Sequence, residues 1–216
     1  MKRTSFILSL FMTLILCMSI LSCIDLRDSD FKPDNEDSRL PAYSEKGYDI
    51  AGAIINNDAW RAERKPFSEV MLVDISKTDT MVFEMYGELI DGVGQGDYID
   101  FYIYQTRVSI NSFADLKKLE GKMISLNGEN NYAELKYSPK NKTAFYNKNG
   151  TGNLIFKSIR EIENVTYNNT TSESLFHIHP VYISGTFELS FKDSLENQIK
   201  VNKGRFDFKA YFKQKQ

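Results

Sequence analysis

The chain contains five segments in which apolar and polar residues alternate with a period of two. Their apolar members are Met71, Val73 and Ile75; Met81, Phe83 and Met85; Ile99, Phe101 and Ile103; Phe187, Leu189 and Phe191; and Phe206, Phe208, Ala210 and Phe212. Successive side chains of a β-strand point to opposite faces of a sheet, so this pattern is typical of strands that cover a core with one face. The alternation therefore predicts an all-β protein.

Residues that favour turns separate these segments. The predicted breaks are Asn56-Asn57, Gly92–Gly96, Asn147–Gly152 and Asp193–Gln198. One short helix is predicted from Ser112 to Leu119, with Ser112 as its N-cap. About ten short antiparallel strands with one helix predict a β-sandwich or a calycin-like barrel. We expect a single β domain over residues 48–216.

An apolar run from Phe6 to Leu21 follows Lys2 and Arg3 near the start of the chain. The run is shorter than the roughly 20 residues of a membrane-spanning helix and has the length of a signal-peptide core. It ends in Ile20-Leu21-Ser22-Cys23, which resembles the bacterial lipobox. The resemblance implies a signal peptide over residues 1–22 and a diacylglycerol on the sulfur of Cys23. An uncleaved anchor helix is the alternative.

A polar stretch lies between this leader and the alternating segments. Residues 24–47 include seven acidic and four basic residues, with Pro33 and Pro41, and little apolar periodicity. Such a stretch cannot bury enough apolar surface to offset the entropy of ordering. We therefore expect residues 23–47 to be an acidic, flexible tether. The acidic residues directly behind Cys23 also resemble the export signal that sends lipoproteins of the Bacteroidota to the outer surface.

Charge and cysteine positions exclude several classes of function. The formal net charge is −2 and no dense basic stripe is present, so the chain has no electrostatic basis for binding nucleic acid. The two cysteines, Cys17 and Cys23, lie within the leader and at its end. The domain after them therefore has no disulfide, thiolate metal site or catalytic cysteine.

Two patches resemble small Bacteroidota lipoproteins that are classed as domains of unknown function. The patches are the opening segment Ala53–Trp60 and a closing pair, Ile183–Leu189 with Asn202–Asp207. Asn57 stands where that family usually has glycine. The resemblance implies a closing hairpin and an envelope location, and it implies no activity. On this basis we expect an exported protein that is anchored by lipid to the outer membrane, on its periplasmic or its outer side.

The candidate chemistry is sparse. His177 and His179 are two positions apart, so on a strand both could reach one metal ion, but the further ligands that zinc needs are not evident and an exposed strand end is the simpler interpretation. The glycine-rich segment Asp91–Asp97 lacks the residues of a phosphate or calcium loop and is interpreted as a hairpin loop. No serine lies in a Gly-x-Ser-x-Gly motif. No cofactor and no catalytic residue is predicted.

Two short triplets suggest covalent modification. Asp79-Thr80-Met81 and Asp193-Ser194-Leu195 resemble the acceptor for O-linked glycans in exported Bacteroidota proteins, which implies modification at Thr80 and Ser194. A chance match to so short a pattern is the alternative.

Three hypotheses of function follow. The first is a non-enzymatic binding or scaffolding module at the membrane surface, anchored through Cys23, whose partner is an unidentified protein, glycan or small apolar ligand. The second is a carrier that holds a small apolar ligand inside a barrel. The third is a glycan-active enzyme, which requires paired carboxyl groups that sequence spacing cannot reveal.

Overall fold

Ten strands and one short helix are present in the part of the chain that the computed structural model describes, which is residues 31–63, 70–71, 80–108, 110, 112–140, 144–162, 176–193 and 195–215. The strands are β1 (Ile50–Ile55), β2 (Asp58–Glu63), β3 (Val70–Met71), β4 (Thr80–Leu89), β5 (Tyr98–Thr106), β6 (Met123–Asn127), β7 (Asn131–Ser138), β8 (Phe145–Glu161), β9 (Phe176–Lys192) and β10 (Gln198–Lys215); the helix is α1 (Phe113–Lys117).

Eight of these strands close into an antiparallel barrel. They pair in the order β1, β2, β4, β5, β7, β8, β9 and β10, and β10 pairs back with β1. The short β3 adds to β10 in parallel, and β6 pairs with β8. The all-β prediction with one short helix is thus confirmed, and of the two predicted architectures the structure is the calycin-like barrel. Closure gives each of the eight strands two neighbours, so the ring has no free edge.

The interior is packed with aromatic rings. Its largest side chains are exposed by no more than 1% and are Trp60, Phe83, Phe101, Phe156, Phe187 and Phe206. Trp60 meets Phe101 edge to face with ring centroids 4.9 Å apart, and its indole N–H donates to the carbonyl oxygen of Ile99 at 2.9 Å. The buried polar group of Trp60 is therefore satisfied, and the alternating residues of the sequence form one continuous core.

Three of the predicted breaks are turns. β1 and β2 are joined through Asn56, whose φ of 57° is the left-handed value expected of an Asn turn. The loops between β4 and β5 and between β9 and β10 fall where the glycine-rich segment and the Asp193–Gln198 segment predict them. The two patches of the closing pair are also neighbours, since Phe206 of β10 pairs with Gly185 of β9.

The fourth predicted break, Asn147–Gly152, is wrong, because β8 continues through it. Here β8 changes partner along one edge, from β7 at Gly150 to β6 at Thr151, and the pairing with β7 shifts register. Asn149 has a φ of 57°, and a Cβ at Gly152 would lie 2.0 Å from the carbonyl oxygen of Glu188. The turn-favouring residues serve a bulge and a close backbone approach within a strand.

The predicted helix is confirmed as α1. The Ser112 hydroxyl accepts a hydrogen bond from the backbone N–H of Asp115 at 3.2 Å, as the N-cap prediction requires. Leu116 is fully buried in the core. The Lys117 ammonium donates to the carbonyl oxygen of Ile159 at 2.7 Å, which ties the helix to β8.

The folded unit begins before the boundary predicted at Tyr48. Residues 33–47, for which composition predicts a flexible tether, lie on the outside of the barrel, and the compact unit starts at Pro33. Leu40 is fully buried. A Cβ at Gly52 of β1 would lie 2.3 Å from the ring of Pro41, so the segment passes directly over this strand. We call residues 33–49 the strap.

A buried carboxylate on β10 holds the strap. Asp207 is 3% exposed and accepts hydrogen bonds from the Ser44 hydroxyl and from the backbone N–H groups of Lys46, Gly47 and Tyr48, the last three at 3.1, 2.7 and 3.3 Å. Hydrogen bonds to a charged acceptor are among the stronger ones in proteins. The carboxylate thereby satisfies several backbone donors of a segment that has no regular secondary structure of its own.

Two further contacts fasten the strap at its ends. The Arg205 guanidinium pairs with the carboxylate of Asp34, and the backbone N–H of Lys209 donates to the Asp49 carboxylate at 2.8 Å. The hydrogen bond from the Glu36 backbone and the interaction with Arg205 lower the pKa of Asp34. Asp34, one of the acidic residues that make the segment look like a solvated tether, is thus one of its attachment points.

Two glycines with the same backbone angle test the docking of the strap. Gly47 and Gly121 both have a φ of +73°, but a Cβ at Gly47 would lie 2.2 Å from the ring of Tyr182, whereas a Cβ at Gly121 meets nothing within 4 Å. Gly121→Ala should cost about 1–2 kcal/mol for the left-handed backbone alone. Gly47→Ala should cost a further 1–3 kcal/mol, roughly, from overpacking. Urea unfolding of both variants measures the difference, and equal losses would contradict the docked strap.

Candidate functional site

The outer surface of four neighbouring strands carries a cluster of tyrosines. We call it the tyrosine face, and it consists of the outward side chains Tyr86 and Glu84 of β4, Tyr98, Asp100, Tyr102 and Tyr104 of β5, Tyr132, Glu134 and Lys136 of β7, and Tyr146 and Lys148 of β8. The inward residues of the same strands are mostly apolar core residues, and Asn147 of β8 is a buried polar exception. The period of two therefore places Phe, Met and Ile inside the barrel and Tyr with charged residues outside.

Strand register aligns these side chains in rows across the sheet. In the central row, Tyr86 lies opposite Asp100, Asp100 opposite Lys136, and Lys136 opposite Tyr146. Since neighbouring strands are about 4.8 Å apart, this row is roughly 14 Å long. It places one charged pair in the middle and one tyrosine at each end.

The rings of the tyrosine face pack against one another. Tyr104 and Tyr132 are stacked, with centroids 4.6 Å apart and an interplanar angle of 19°. Tyr86 and Tyr102 meet edge to face at 5.9 Å. Such contacts, between directly opposed residues for Tyr104 and Tyr132 and between diagonal neighbours for Tyr86 and Tyr102, restrict the rings and favour one fixed arrangement. The face is thus a preorganised surface of aromatic rings.

Carboxylates bind the tyrosine hydroxyls. The Tyr86 hydroxyl donates to the Glu84 carboxylate, and the Tyr104 hydroxyl donates to Glu134 at 3.4 Å. Burial, followed by the interaction with Glu84, raises the pKa of Tyr86. Burial, followed by the charge of Glu134, raises the pKa of Tyr104. These phenols therefore stay protonated at neutral pH and act as neutral, polar-edged rings.

The charged pair at the centre is partly buried. Lys136 Nζ lies 3.6 Å from Asp100 Oδ2, and the two side chains are 29% and 12% exposed. Burial, the largest single cause, acts to lower the pKa of Lys136, but the charge of Asp100 and its hydrogen bond, together with Tyr102 and Tyr146, make the net shift upward. Lys148 similarly approaches Glu134, at 3.9 Å. A donor and an acceptor with little freedom thus lie side by side between the rings.

Exposure is concentrated at the rim of the face. Among the described residues of these four strands, the large hydrophobic side chains that are exposed are all tyrosines: Tyr86 at 37%, Tyr98 at 40% and Tyr146 at 55%. Tyrosine combines an apolar ring with a polar tip, and it loses little conformational freedom when it binds. This composition is that of a recognition surface.

A groove of about 530 Å³ lies elsewhere on the outside of the barrel. It is bounded by Tyr43 of the strap, Met123 of β6, Lys157 of β8 and Arg205 of β10. Lys157 Nζ lies 5.2 Å from the centroid of the Tyr43 ring. Arg205 is already paired with the strap, so the groove owes its wall to the docking of that segment.

None of the site residues predicted from sequence belongs to the tyrosine face, and some lie outside the described residues. His177 and His179 are on β9, opposite Gln214 and Phe212 of β10, with the spacing of two that a shared strand face requires. Thr80 is the first residue of β4. Ser194 and Cys23 lie outside the described residues. Modification at Thr80 and Ser194 and lipidation at Cys23 stay predictions.

The glycine-rich loop is a hairpin loop, as interpreted. Both of its acids bind the protein itself: Asp91 accepts from the Ala59 backbone N–H at 2.5 Å, and Asp97 accepts from the Tyr137 hydroxyl and from the Lys140 backbone N–H. Gly92 and Gly96 supply positive φ angles of 78° and 79°. The acids therefore shape and close the loop.

Within the described residues, no group of three or more His, Cys, Asp or Glu side chains is arranged to hold a metal ion. No helix in this part of the chain is long and apolar enough to span a membrane.

Comparison of the chain with protein-family models, with curated proteins and with solved structures found no match. The resemblance to Bacteroidota lipoproteins stays a prediction. The fold and the surface together define a structural class, which is a closed, eight-stranded antiparallel barrel of the calycin type with an outer aromatic face.

The sequence contains a partial signal for this face. Tyr98, Tyr102 and Tyr104 alternate with the apolar residues of β5, so their outward direction is predictable from the period of two. Their neighbours on β4, β7 and β8 follow only from strand register, which the sequence alone does not provide. Exposed aromatic residues are thus predictable one strand at a time, whereas the assembled surface is not.

The raised pKa values of the face predict a loss of stability at high pH. The folded-state pKa values of Tyr86 and Tyr104 lie above the ordinary value of 10.0, so above pH 10 the folded protein retains protons that the unfolded chain has lost. The stabilisation is present below pH 10 and disappears as the pH rises through the folded-state values. Urea unfolding at pH values on both sides of 10 measures this. In a Tyr86→Phe/Tyr104→Phe variant the dependence should be smaller, and an unchanged slope would contradict the assignment.

Proposed function

We propose that this protein is a non-enzymatic binding module, anchored by lipid at Cys23 to the outer membrane, that recognises its ligand on the tyrosine face. The observation that carries the proposal is the row Tyr86, Asp100, Lys136 and Tyr146, in which exposed rings flank a restrained charged pair. Rigid tyrosines around a few polar groups are typical of recognition surfaces. The lipobox-like segment before Cys23 supports the location.

The direction of the carboxyl pKa shifts favours binding over catalysis. A general acid for glycoside cleavage needs a carboxyl group whose pKa is raised. Hydrogen bonds lower the pKa of four described carboxyl groups, Asp34, Asp37, Glu120 and Asp193. Asp34 and Glu120 serve the strap and the helix connection.

The packed interior favours an outer binding surface over an internal carrier site. A carrier needs a cavity lined by apolar side chains. Phe83 instead approaches Phe206 with centroids 4.7 Å apart and Phe156 at 5.8 Å, and each of the three rings is exposed by 1% or less.

Replacement of Cys23 tests the anchor. A Cys23→Ala chain lacks the sulfur to which the diacylglycerol would be attached, so the protein should move from the membrane fraction to the soluble envelope fraction. Fractionation of host cells followed by immunoblotting measures this. A variant that stays with the membrane would mean that the anchor is elsewhere in the chain.

Binding to envelope material tests the tyrosine face. Detergent-solubilised full-length protein should bind envelope from a host strain that lacks its gene, and a Tyr86→Ser/Tyr98→Ser/Tyr146→Ser variant should bind at least about tenfold more weakly because it loses the exposed rings. Biolayer interferometry on immobilised envelope measures both.

Tyr43→Ser is the matched control, since Tyr43 is 37% exposed on the strap and lies outside the face. It should bind like the unaltered protein. Retained binding in the triple variant, together with a folded circular dichroism spectrum, would exclude the face. Loss of envelope binding in the Tyr43→Ser variant only would assign binding to the groove that Tyr43 borders.

A further inference from the structure

The central row of the tyrosine face offers two kinds of contact side by side. Tyr86 and Tyr146 provide exposed rings at its ends, and Asp100 with Lys136 provides one acceptor and one donor 3.6 Å apart at its centre. Tyr98 and Tyr102, on the same strand as Asp100, lie two positions before and after it on the same side of the sheet. The charged pair is therefore bordered by rings along the strand as well as across it.

We propose that the ligand of this face is a neutral glycan. This inference rests on the proposed function and names its substrate class. A pyranose ring has an apolar C–H surface that packs on an aromatic ring, and neighbouring hydroxyl groups that each donate and accept hydrogen bonds. The Asp100 carboxylate accepts from one hydroxyl, and the Lys136 ammonium donates to the next. The roughly 14 Å row is long enough for a short oligosaccharide rather than one sugar.

The charges of the face favour a neutral ligand over a cationic one. Each carboxylate already has a partner within the face: Asp100 has Lys136, Glu134 has Lys148, and Glu84 has the Tyr86 hydroxyl. A lysine-rich ligand would have to compete with these partners for the carboxylates. Polar groups that partly satisfy one another can instead exchange hydrogen bonds with uncharged hydroxyl groups at little electrostatic cost.

The exposed apolar area also favours a glycan over a hydrophobic protein surface. Among the described residues of these strands, the exposed large hydrophobic side chains are tyrosines, and the hydroxyl of Tyr86 donates to the carboxylate of Glu84. Protein interfaces have a core that is depleted in charged residues. Here the centre of the face is the Asp100–Lys136 pair, and the rings surround it.

The test uses defined polysaccharides and the full-length, detergent-solubilised protein. The probes are dextran, yeast mannan, a soluble mixed-linkage β-glucan and the neutral polysaccharide fraction of the host envelope, each in affinity gel electrophoresis and calorimetry. We expect at least one to bind, with an affinity that does not change between low and high salt, because a neutral ligand is not screened.

Side-chain variants separate stacking from hydrogen bonding. Tyr98→Phe keeps the ring and should bind within about twofold of the unaltered protein, whereas Tyr98→Ser should lose about tenfold. Lys136→Met keeps the aliphatic stem, removes the donor and should lose about fivefold. Tyr43→Ser, outside the face, should bind normally.

The outcomes distinguish this inference from the proposed function. If no neutral polysaccharide binds, while the triple tyrosine variant still loses envelope binding, the ligand is not a neutral glycan but the face remains the binding surface. Binding that survives periodate oxidation of the envelope material would likewise contradict a neutral glycan as the ligand. So would binding that high salt or poly-lysine abolishes. Polysaccharide binding that all tyrosine variants retain would overturn the site.

Discussion

Closure of the sheet by β1 and β10 is the constraint on which the rest of the structure depends. Once the first and last strands pair, every barrel strand has one face toward a filled interior and one toward the outside. The closure requires a bulge in β10 near Lys203, where the pairing shifts register toward both β1 and β9 and φ is +54°. The next residue is Gly204, and glycine is needed there because a Cβ would lie 2.3 Å from the carbonyl oxygen of Phe187.

A barrel filled with rings leaves its outer surface for recognition, and the strap divides that surface. The strap covers the outside of β1 at Gly52 and of β10 at Asp207, whose side chain is buried there. The exposed aromatic residues of the face lie instead on β4, β5 and β8. The buried carboxylate of Asp207, together with Arg205 and the contacts of Leu40 and Pro41, thus holds the strap on this side of the barrel.

Local sequence patterns predicted β4, β5, β9 and β10, because the period of two is a property of each strand by itself. The same holds for Ser112 and Asn56, whose roles are completed within a few residues. Of the fifth predicted segment, Met71 lies in β3, whereas Val73 and Ile75 lie outside the described residues. The choice between barrel and sandwich was not predictable, since both architectures show the same alternation and differ only in whether β1 meets β10. The break predicted at Asn147–Gly152 was wrong for a related reason, because Asn and Gly permit positive φ in a bulge as well as in a turn.

The strap shows where composition fails as a guide. The acidic composition of the segment predicts a solvated chain only if no distant partner is assumed. The groups of β10 that bind the strap, on Arg205, Asp207 and Lys209, come about 160 residues later in the sequence. The tyrosine face follows the same logic: Tyr86 acquires its position by lying opposite Asp100, and Tyr146 by lying opposite Lys136. In both cases single residues are visible in the sequence, whereas the surface they form is a product of register. Any assignment of a ligand to this barrel therefore has to be argued across strands, from rows such as Tyr86 to Tyr146, and not along them.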